Sequence, residues 1–356
     1  MTSNSYSTDR INPPARMVHR LSVLAVCMVW PLIWVGGLVT TYDAGMAVPD
    51  WPGTYGYNLF LYPLDTWVLG PFDLFIEHGH RLLGAFVGFV AILIVIASLR
   101  YEPRKWVRGL SFALLLMVIC QGLLGGMRVV LSDRTLAMVH GCVGPAFFSL
   151  CVAVSVITSR IWWRELGDDT VVSDIRKRHL LLAVLIISLS YTQILLGAKV
   201  RHVLPDALPA DFTLTVAQHI SVGIFLWVLS IFAFVGFRRC GDLTLFRPVY
   251  ALLLSVTLQM TLGIGTWVVN YGWPGILGAD FIRSIPGADE YLIQAKGFWD
   301  SIIVTAHVAV GSLILAISTM LALRVSRTHY LSNHLSTSKS LTESENAAVS
   351  TSNAFS

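Results

Sequence analysis

Long apolar runs constrain the fold of this chain more than any other feature of its sequence. Each run has about 20 residues, enough for an α-helix to cross the hydrocarbon core of a membrane at about 1.5 Å per residue. Only 13% of the 356 residues are charged, about half of the roughly 25% usual in soluble proteins. We therefore predict an all-α, polytopic protein with eight transmembrane helices in a lipid bilayer. The runs lie at roughly 20–40, 79–99, 107–130, 135–158, 178–200, 216–237, 247–270 and 302–325.

The placement of basic residues predicts the orientation of the chain in the membrane. Lys and Arg cluster before the first run and in the even-numbered connections, whereas the first odd-numbered connection, 41–77, contains acidic residues and no Lys or Arg. By the positive-inside rule both termini are cytoplasmic, and the short N-terminal segment favours the bacterial plasma membrane. The net charge of +4 is spread between the helices, so no nucleic-acid partner is expected. Four basic residues lie on the other side and depart from this distribution of Lys and Arg: Arg128, Arg134, Lys199 and Arg201.

A repeated motif divides the chain into four helical hairpins. Every even-numbered run opens with a histidine followed four residues later by glycine, and three odd-numbered runs close with Gln-x-x-x-Gly. The first odd-numbered run has Gly36 and Gly37 but no matching glutamine. Two hairpins make each half, so we predict two pseudo-symmetric four-helix bundles related by an axis along the membrane normal. The motifs are His80–Gly84, His140–Gly144, His219–Gly223 and His307–Gly311, with Gln121–Gly125, Gln193–Gly197 and Gln259–Gly263.

The same pattern sets the predicted domain boundaries. A charged stretch separates the halves, and a final stretch rich in Ser, Thr and Asn is predicted to be disordered because it cannot bury a core. The predicted units are a cytoplasmic segment 1–19, an N-terminal bundle 20–158, a cytoplasmic linker 159–178, a C-terminal bundle 179–325 and a tail 326–356.

The four histidines of the repeat are candidate heme ligands. Residues four apart share a helix face, so each glycine would leave room beside its histidine for a planar porphyrin. Facing helices in each half would then supply two axial ligands to one iron. The alternatives are capping or interfacial histidines, and zinc sites, which usually take three or four ligands. All four histidines lie toward the outer face, unlike the ligands of an electron carrier that crosses the membrane.

The first even-numbered run carries additional polar residues, in Glu77-His78-Gly79-His80-Arg81. Glu77 shares a face with His80 and is either a candidate acid or base or a helix N-terminal acid that interacts with the dipole. His78 points away from His80 and is interpreted as an interface residue or a partner of the ligand. The aromatic loop before it favours either a lid over the site or an interfacial aromatic belt.

Three arginines near the outer helix ends are candidate contacts for heme propionates. Arg81 follows His80 directly, and Arg128 and Arg201 follow two of the Gln-x-x-x-Gly motifs. A guanidinium pairs with a carboxylate through two donors. Snorkelling to lipid headgroups is the alternative for Arg128 and Arg201, and the sequence does not decide between them.

In the order and spacing of these motifs the sequence resembles the heme A synthase family of cytochrome oxidase cofactor biosynthesis. The resemblance spans about 20 to 325 of the chain. Some family members have a cysteine pair in the first outward loop, which this sequence lacks, so a thiol-dependent step is not expected. The motifs are Gly36-Gly37-Leu38-Val39-Thr40, Glu77-x-x-His80-Arg81, Gln121-Gly122-Leu123-Leu124-Gly125-Gly126, His140, Gln193-Ile194-Leu195-Leu196-Gly197-Ala198, Arg201-His202, His219, Gln259-x-x-x-Gly263 and His307.

The resemblance implies an oxidoreductase that converts the C8 methyl group of heme O to a formyl group, through a hydroxylated intermediate, to give heme A. It implies that the N-terminal bundle holds the substrate heme O through His80 and His140. It also implies that the C-terminal bundle holds a heme b cofactor through His219 and His307, and that Glu77 is the functional carboxylate. The partners it implies are heme O synthase, cytochrome oxidase assembly and an unidentified electron acceptor.

Two other functions stay open from the sequence. A non-catalytic membrane heme b protein, such as an electron carrier or a heme chaperone or exporter, would show the same histidine pairs. A transporter without a cofactor would show the same apolar runs. Conversion of heme O to heme A separates the enzyme from the first alternative, and a Soret band separates a heme protein from the second.

Overall fold

The computed structural model describes residues 16–163, 177–203, 206–288, 290–294 and 297–354, and over these ranges the chain is helical with no β-strand. Eight of the helices are long and apolar enough to cross a membrane, which confirms the predicted fold class. The segment 1–15 and most of the predicted linker, 164–176, lie outside the described residues. The helices are α1 Arg16–Thr41, α2 Phe72–Tyr101, α3 Lys105–Val130, α4 Arg134–Ile157, α5 Lys177–Arg201, α6 Pro209–Arg238, α7 Leu243–Tyr271 and α8 Phe298–Ala354.

Two helices begin one to two turns before the apolar runs that predicted them. Helix α2 starts at Phe72 and α6 starts at Pro209, where the missing N–H of proline is not needed for an intrahelical bond. Hydropathy marks the part of a helix in lipid, whereas the hydrogen-bonded helix continues into the interface. Glu77 and His80 therefore lie within α2 and not at its first residues.

Helix α8 extends beyond the last apolar run. It continues to Ala354, through most of the tail for which composition predicts disorder, whereas the part long and apolar enough to be a membrane span ends at Ser332. The helical backbone there differs from that expectation, and disorder of the tail in solution stays a prediction.

Each half has an apolar core of its own. In the N-terminal half, Ile94 of α2 packs with Phe148 of α4, and in the C-terminal half Phe237 of α6 packs with Leu252 of α7. Many large apolar side chains, such as Phe89, lie on the outer surface. This arrangement is expected where lipid and not water surrounds the helices.

The two halves meet where α1 and α4 pack against α8. A β-carbon placed on Gly37 of α1 would lie only 2.8 Å from Cγ2 of Thr305 in α8. Deeper in the bilayer, Nε1 of Trp30 donates to the carbonyl of Ala309 over 3.3 Å. Small residues and interhelical hydrogen bonds are typical of helix contacts in membranes. A symmetry axis that relates the halves stays a prediction.

Replacing Gly37 by alanine is expected to destabilise this interface. The new methyl group would meet Thr305, whose β-branched side chain is buried and has few rotamers, and overpacking of this kind costs about 1–3 kcal/mol. The thermal unfolding midpoint of the purified protein in detergent should fall.

Gly109→Ala on α3 is the matched control, because a β-carbon there meets nothing within 4 Å. Alanine at an open helix position is expected to be neutral or to stabilise by up to about 1 kcal/mol. Equal midpoints for the two variants would contradict the close contact between Gly37 and Thr305.

Candidate functional site

The structure brings the predicted histidines together as one pair in each half. The imidazole centroids of His80 and His140 are 6.4 Å apart, with the rings at 82° to each other. Those of His219 and His307 are 6.2 Å apart, with the rings at 73°. Heme ligation by these residues stays a prediction, but the pairing it requires is present.

The spacing within each pair fits a single heme iron between the two rings. A metal–imidazole nitrogen bond is about 2 Å long, so two rings on opposite sides of one iron have centres roughly 6 Å apart once the ring radii are added. The Nδ1 atoms of all four rings are buried without a hydrogen-bond partner among the described residues. Within the same ranges no group of three or more His, Cys, Asp or Glu side chains could hold a metal ion, which gives the zinc alternative no support.

A glycine of the preceding odd-numbered helix supports each histidine ring. The close approach explains why the motif needs glycine, because any side chain there would push the ring out of its place. This contact repeats in all four hairpins, including the first, which lacks the glutamine. The distances from Cε1 to the position of an added β-carbon are 2.7 Å for His80 on Gly36, 3.1 Å for His140 on Gly125, 3.2 Å for His219 on Gly197 and 3.2 Å for His307 on Gly263.

The glycine that follows the histidine has a protein contact in three of the four hairpins. In three hairpins the glutamine amide of the odd-numbered helix lies against this glycine, so the space is filled by protein and does not simply stay open for a porphyrin. The amide nitrogen of Gln121 also donates to the carbonyl of His140 over 3.2 Å. The distances from amide nitrogen to an added β-carbon are 3.2 Å for Gln121 and Gly144, 2.8 Å for Gln193 and Gly223, and 3.2 Å for Gln259 and Gly311.

One backbone carbonyl of the odd-numbered helix faces each histidine ring. Ligand histidines usually donate their second N–H to such a group, which fixes the tautomer and directs the other nitrogen to the metal. The Nδ1 atoms have no partner at hydrogen-bond geometry here, although a carbonyl of the neighbouring helix lies close to each ring. These carbonyls belong to Leu32 for His80, Gln121 for His140, Gln193 for His219 and Gln259 for His307.

Glu77 lies in the N-terminal half beneath the first outward loop, with both carboxylate oxygens engaged. Oε2 accepts from the backbone N–H of Val48 over 2.8 Å, and Oε1 accepts from Nη2 of Arg81 over 2.8 Å. The side chain is only 2% exposed. Glu77 thus joins α2 to the loop, one turn from His80.

Arg81 anchors the loop, and its contact with a heme propionate stays a prediction. Its Nη1 donates to the carbonyls of Asp50 (2.6 Å) and Gly53 (2.8 Å). Its Nη2 donates to the carbonyl of Val48 (2.7 Å) as well as to Glu77. A buried guanidinium must satisfy its donors, and here the loop backbone supplies the acceptors.

His78 is also an anchor of this loop. Its Nδ1 lies 2.9 Å from the hydroxyl of Thr54, and its ring packs against Tyr62 and Trp67, each with centroids 5.1 Å away. The side chain is 1% exposed. The interface role was one of the two interpretations open from the sequence, and the lid interpretation of the loop gains support from the same contacts.

Trp51 is a residue near the site that the sequence analysis did not single out. Its indole packs directly on Gly126 of α3, next to Gly125, which supports the ring of His140. The signal was present as a second glycine after the motif glycine, since the C-terminal half has Ala198 or Ile264 at that point. The loop therefore contacts both histidine-bearing hairpins of the N-terminal half.

Asp50 shapes the tip of the loop. Its carboxylate accepts from the backbone N–H groups of Tyr55 and Gly56, each over 2.8 Å. Burial acts to raise the pKa of Asp50, but these N–H donors and nearby Arg81 outweigh it, so the pKa lies below its ordinary value. The carboxylate is the form that holds the turn.

The other two arginines predicted to contact propionates differ in how they are used. Nη2 of Arg201 donates to the carbonyl of Gly37 (2.9 Å) and to the hydroxyl of Thr41 (2.7 Å), so Arg201 ties α5 to α1 across the two halves. Nε of Arg128 is buried without a partner among the described residues. An unused buried guanidinium donor favours an anionic ligand group, so Arg128 is the best placed of the three.

Comparison with known proteins points to one family. The COX15-CtaA family, described as cytochrome oxidase assembly protein, matches residues 70–215, a range that includes Glu77, His80 and His140. The heme A synthase of Alkalihalophilus pseudofirmus is 26% identical over 187 residues, which are 51% of this chain and 58% of that protein. Both matches support the heme A synthase family. The resemblance inferred from the motifs is confirmed, and the chain spans little more than half the length of this heme A synthase.

Arg81→Met is expected to release the outward loop from α2. The carbonyls of Val48, Asp50 and Gly53 would lose their donor, and Glu77 would be left buried without its cation, a change worth about 1–3 kcal/mol or more. Hydrogen–deuterium exchange in loop peptides should rise by roughly tenfold or more. Arg100→Met, at the exposed far end of the same helix, should leave hydrogen–deuterium exchange in the loop peptides unchanged. Unaltered exchange in Arg81→Met would contradict the anchoring role.

Proposed function

We propose that this protein is a heme A synthase that oxidises the C8 methyl group of heme O to the formyl group of heme A. The observation that carries the proposal is the difference between two similar histidine pairs. Both have the spacing that fits a heme iron, but among the described residues only His80 and His140 lie beside a buried carboxylate, Glu77, under an anchored loop. That pair would hold heme O, and His219 and His307 would hold a heme b cofactor.

The residues of the N-terminal half are suited to orient a porphyrin and to shield it. His80 and His140 would fix its plane between α2 and α4, and the free donor of Arg128 would pair with a propionate at its outer edge. The loop held by Arg81 and His78 would exclude water from the outer side. Exclusion of water strengthens electrostatic interactions in a site and limits side reactions.

Glu77 has surroundings that allow two roles. As a carboxylate bound to Arg81 and to the Val48 N–H, it holds the loop. As a buried carboxylate one turn from His80, it would accept a proton released from the methyl group during oxidation, which is general base catalysis. The second role requires Glu77 to leave one of its present partners during the reaction.

The proposal also gives the C-terminal half a role, and it names partners and a location for the protein. Heme b on His219 and His307 would supply reversible one-electron chemistry. The electron acceptor is unidentified. Heme O synthase would provide the substrate, and cytochrome oxidase assembly would use the product. We place the protein in the bacterial plasma membrane with both termini in the cytoplasm, as the distribution of basic residues predicts.

A non-catalytic heme protein is the second candidate function. One observation favours it, because both oxygens of Glu77 already have structural partners. In that case the two pairs would carry heme b for electron transfer or heme delivery, and Glu77 would serve only the loop.

Heme extraction from cells that co-express this protein with a heme O synthase tests the proposal. A heme A peak is expected on chromatography, and His80→Ala should lose it by at least tenfold while heme b remains, because a ligand on the substrate iron is gone. His219→Ala should lose heme b instead. His19→Ala is the control, since this histidine binds the Ser155 carbonyl at the opposite end of α1. Bound heme b with heme O left unconverted would favour the non-catalytic function.

Glu77→Gln separates the two roles of this residue. Glutamine keeps an acceptor for the Val48 N–H but cannot take a proton, so heme A formation should fall by about a hundredfold. Hydrogen–deuterium exchange in the loop should rise less than in Arg81→Met, because the hydrogen bonds from Arg81 to the loop carbonyls remain. Arg81→Met should instead lower activity and loop protection together. Heme A formation at the normal rate in Glu77→Gln would exclude the proton role.

A further inference from the structure

The first hairpin differs from the other three at one position beside its histidine. Leu32 stands where the others have glutamine: it precedes Gly36 by four residues, and its carbonyl faces His80 as the glutamine carbonyls face their histidines. The spacing along the sequence and the contact with the histidine ring are two separate observations. Both show that Leu32 occupies the position that glutamine has in the other hairpins. At this position the first hairpin has an apolar side chain in place of an amide.

The glycine after the histidine shows the consequence. A β-carbon on Gly84 would meet nothing within 4 Å, whereas one on Gly144 would lie 3.2 Å from the amide nitrogen of Gln121. Gln121 also donates to the backbone carbonyl of His140, so the amide fixes the backbone of the ligand itself. Leu32 has no donor with which to fix the backbone of His80.

Hydrogen bonds join the first turns of α2 to the loop. Glu77 and Arg81 bind the backbone of Val48, Asp50 and Gly53, and none of these residues belongs to α1. These hydrogen bonds attach α2 to the loop, and the ring of His80 also packs on Gly36 of α1. Neither contact replaces the glutamine amide that holds the backbone of His140.

A glutamine amide that lies beside a candidate heme ligand is called an amide support here. The two halves differ in how many of their ligands have one. In the C-terminal half both ligands have one: the amide nitrogen of Gln193 lies against Gly223, and that of Gln259 lies against Gly311 and 3.4 Å from Nε2 of His307. In the N-terminal half only His140 has one. Partners of this kind change metal affinity by about 10–100-fold.

We propose that Leu32 makes His80 the exchangeable ligand, so that release of heme from the N-terminal half begins at His80 while the amide-supported half retains its heme. The proposal rests on the proposed function, in which one half must release its heme as product in every cycle and the other keeps its cofactor. Leu32 is then a positioning residue, which acts through His80 without taking part in the oxidation.

Leu32→Gln tests the proposal by adding the missing amide, for which the space beside Gly84 offers room. Full-length protein that holds heme O and heme b is mixed with excess apomyoglobin, and each heme still bound is measured by chromatography. Loss of heme O should slow by about tenfold, and loss of heme b should keep its rate. Leu24→Gln, at an exposed position of α1, should change neither rate.

The reciprocal variant keeps the test independent of how Leu32→Gln folds. Gln259→Leu removes one amide from the C-terminal half and should speed the loss of heme b by about tenfold, with heme O unaffected. Unchanged rates in both variants, or equal changes in both halves, would overturn the proposal. Failure of the proposed function has a separate signature, because protein from cells that also express a heme O synthase would then carry heme b and no heme O or heme A.

Discussion

A polar ring inside hydrocarbon is the constraint on which the rest of this structure depends. An imidazole in a bilayer needs partners from the protein, since lipid offers none. The hairpins bring each ring against the bare backbone of the neighbouring helix, as Gly125 does for His140. Close approach of backbones places carbonyls beside the ring and fixes the distance between helices at that level. The packing of each hairpin and the geometry of its histidine are thus set by the same contact.

The difference between the halves follows from one buried cation. Arg81 lies one residue after His80, and a guanidinium buried there needs both a counter-charge and several acceptors. Glu77 supplies the charge, and the carbonyls of Val48, Asp50 and Gly53 supply the acceptors. The loop must fold onto α2 for this to occur. An acidic side chain, a covering loop and a histidine pair therefore come together in the N-terminal half.

The features predicted correctly from sequence are those that depend on the residues of a single helix. The apolar runs gave eight helices, and the common register of His80 and His140 predicted that they would meet. Contacts between distant segments were not predictable in this way. Nothing in the sequence pattern indicates that Arg81 binds the loop backbone or that amides lie against the glycines after the histidines. The second glycine, Gly126, marks a close contact in α3 but does not identify Trp51 as its partner. Each depends on the path of a loop or on the rotation of a helix about its axis, which hydropathy does not report.

The loop shows how this chain closes its outer site without a covalent link. Residues 41–77 contain no cysteine. Asp50, Arg81 and the pair His78–Thr54 hold the loop by hydrogen bonds and charge. The folded-state pKa of Asp50 lies below its ordinary value, so its contribution is complete above the ordinary pKa and is lost as the pH falls through the lowered one. The turn that Asp50 holds at the tip of the loop therefore weakens in acid.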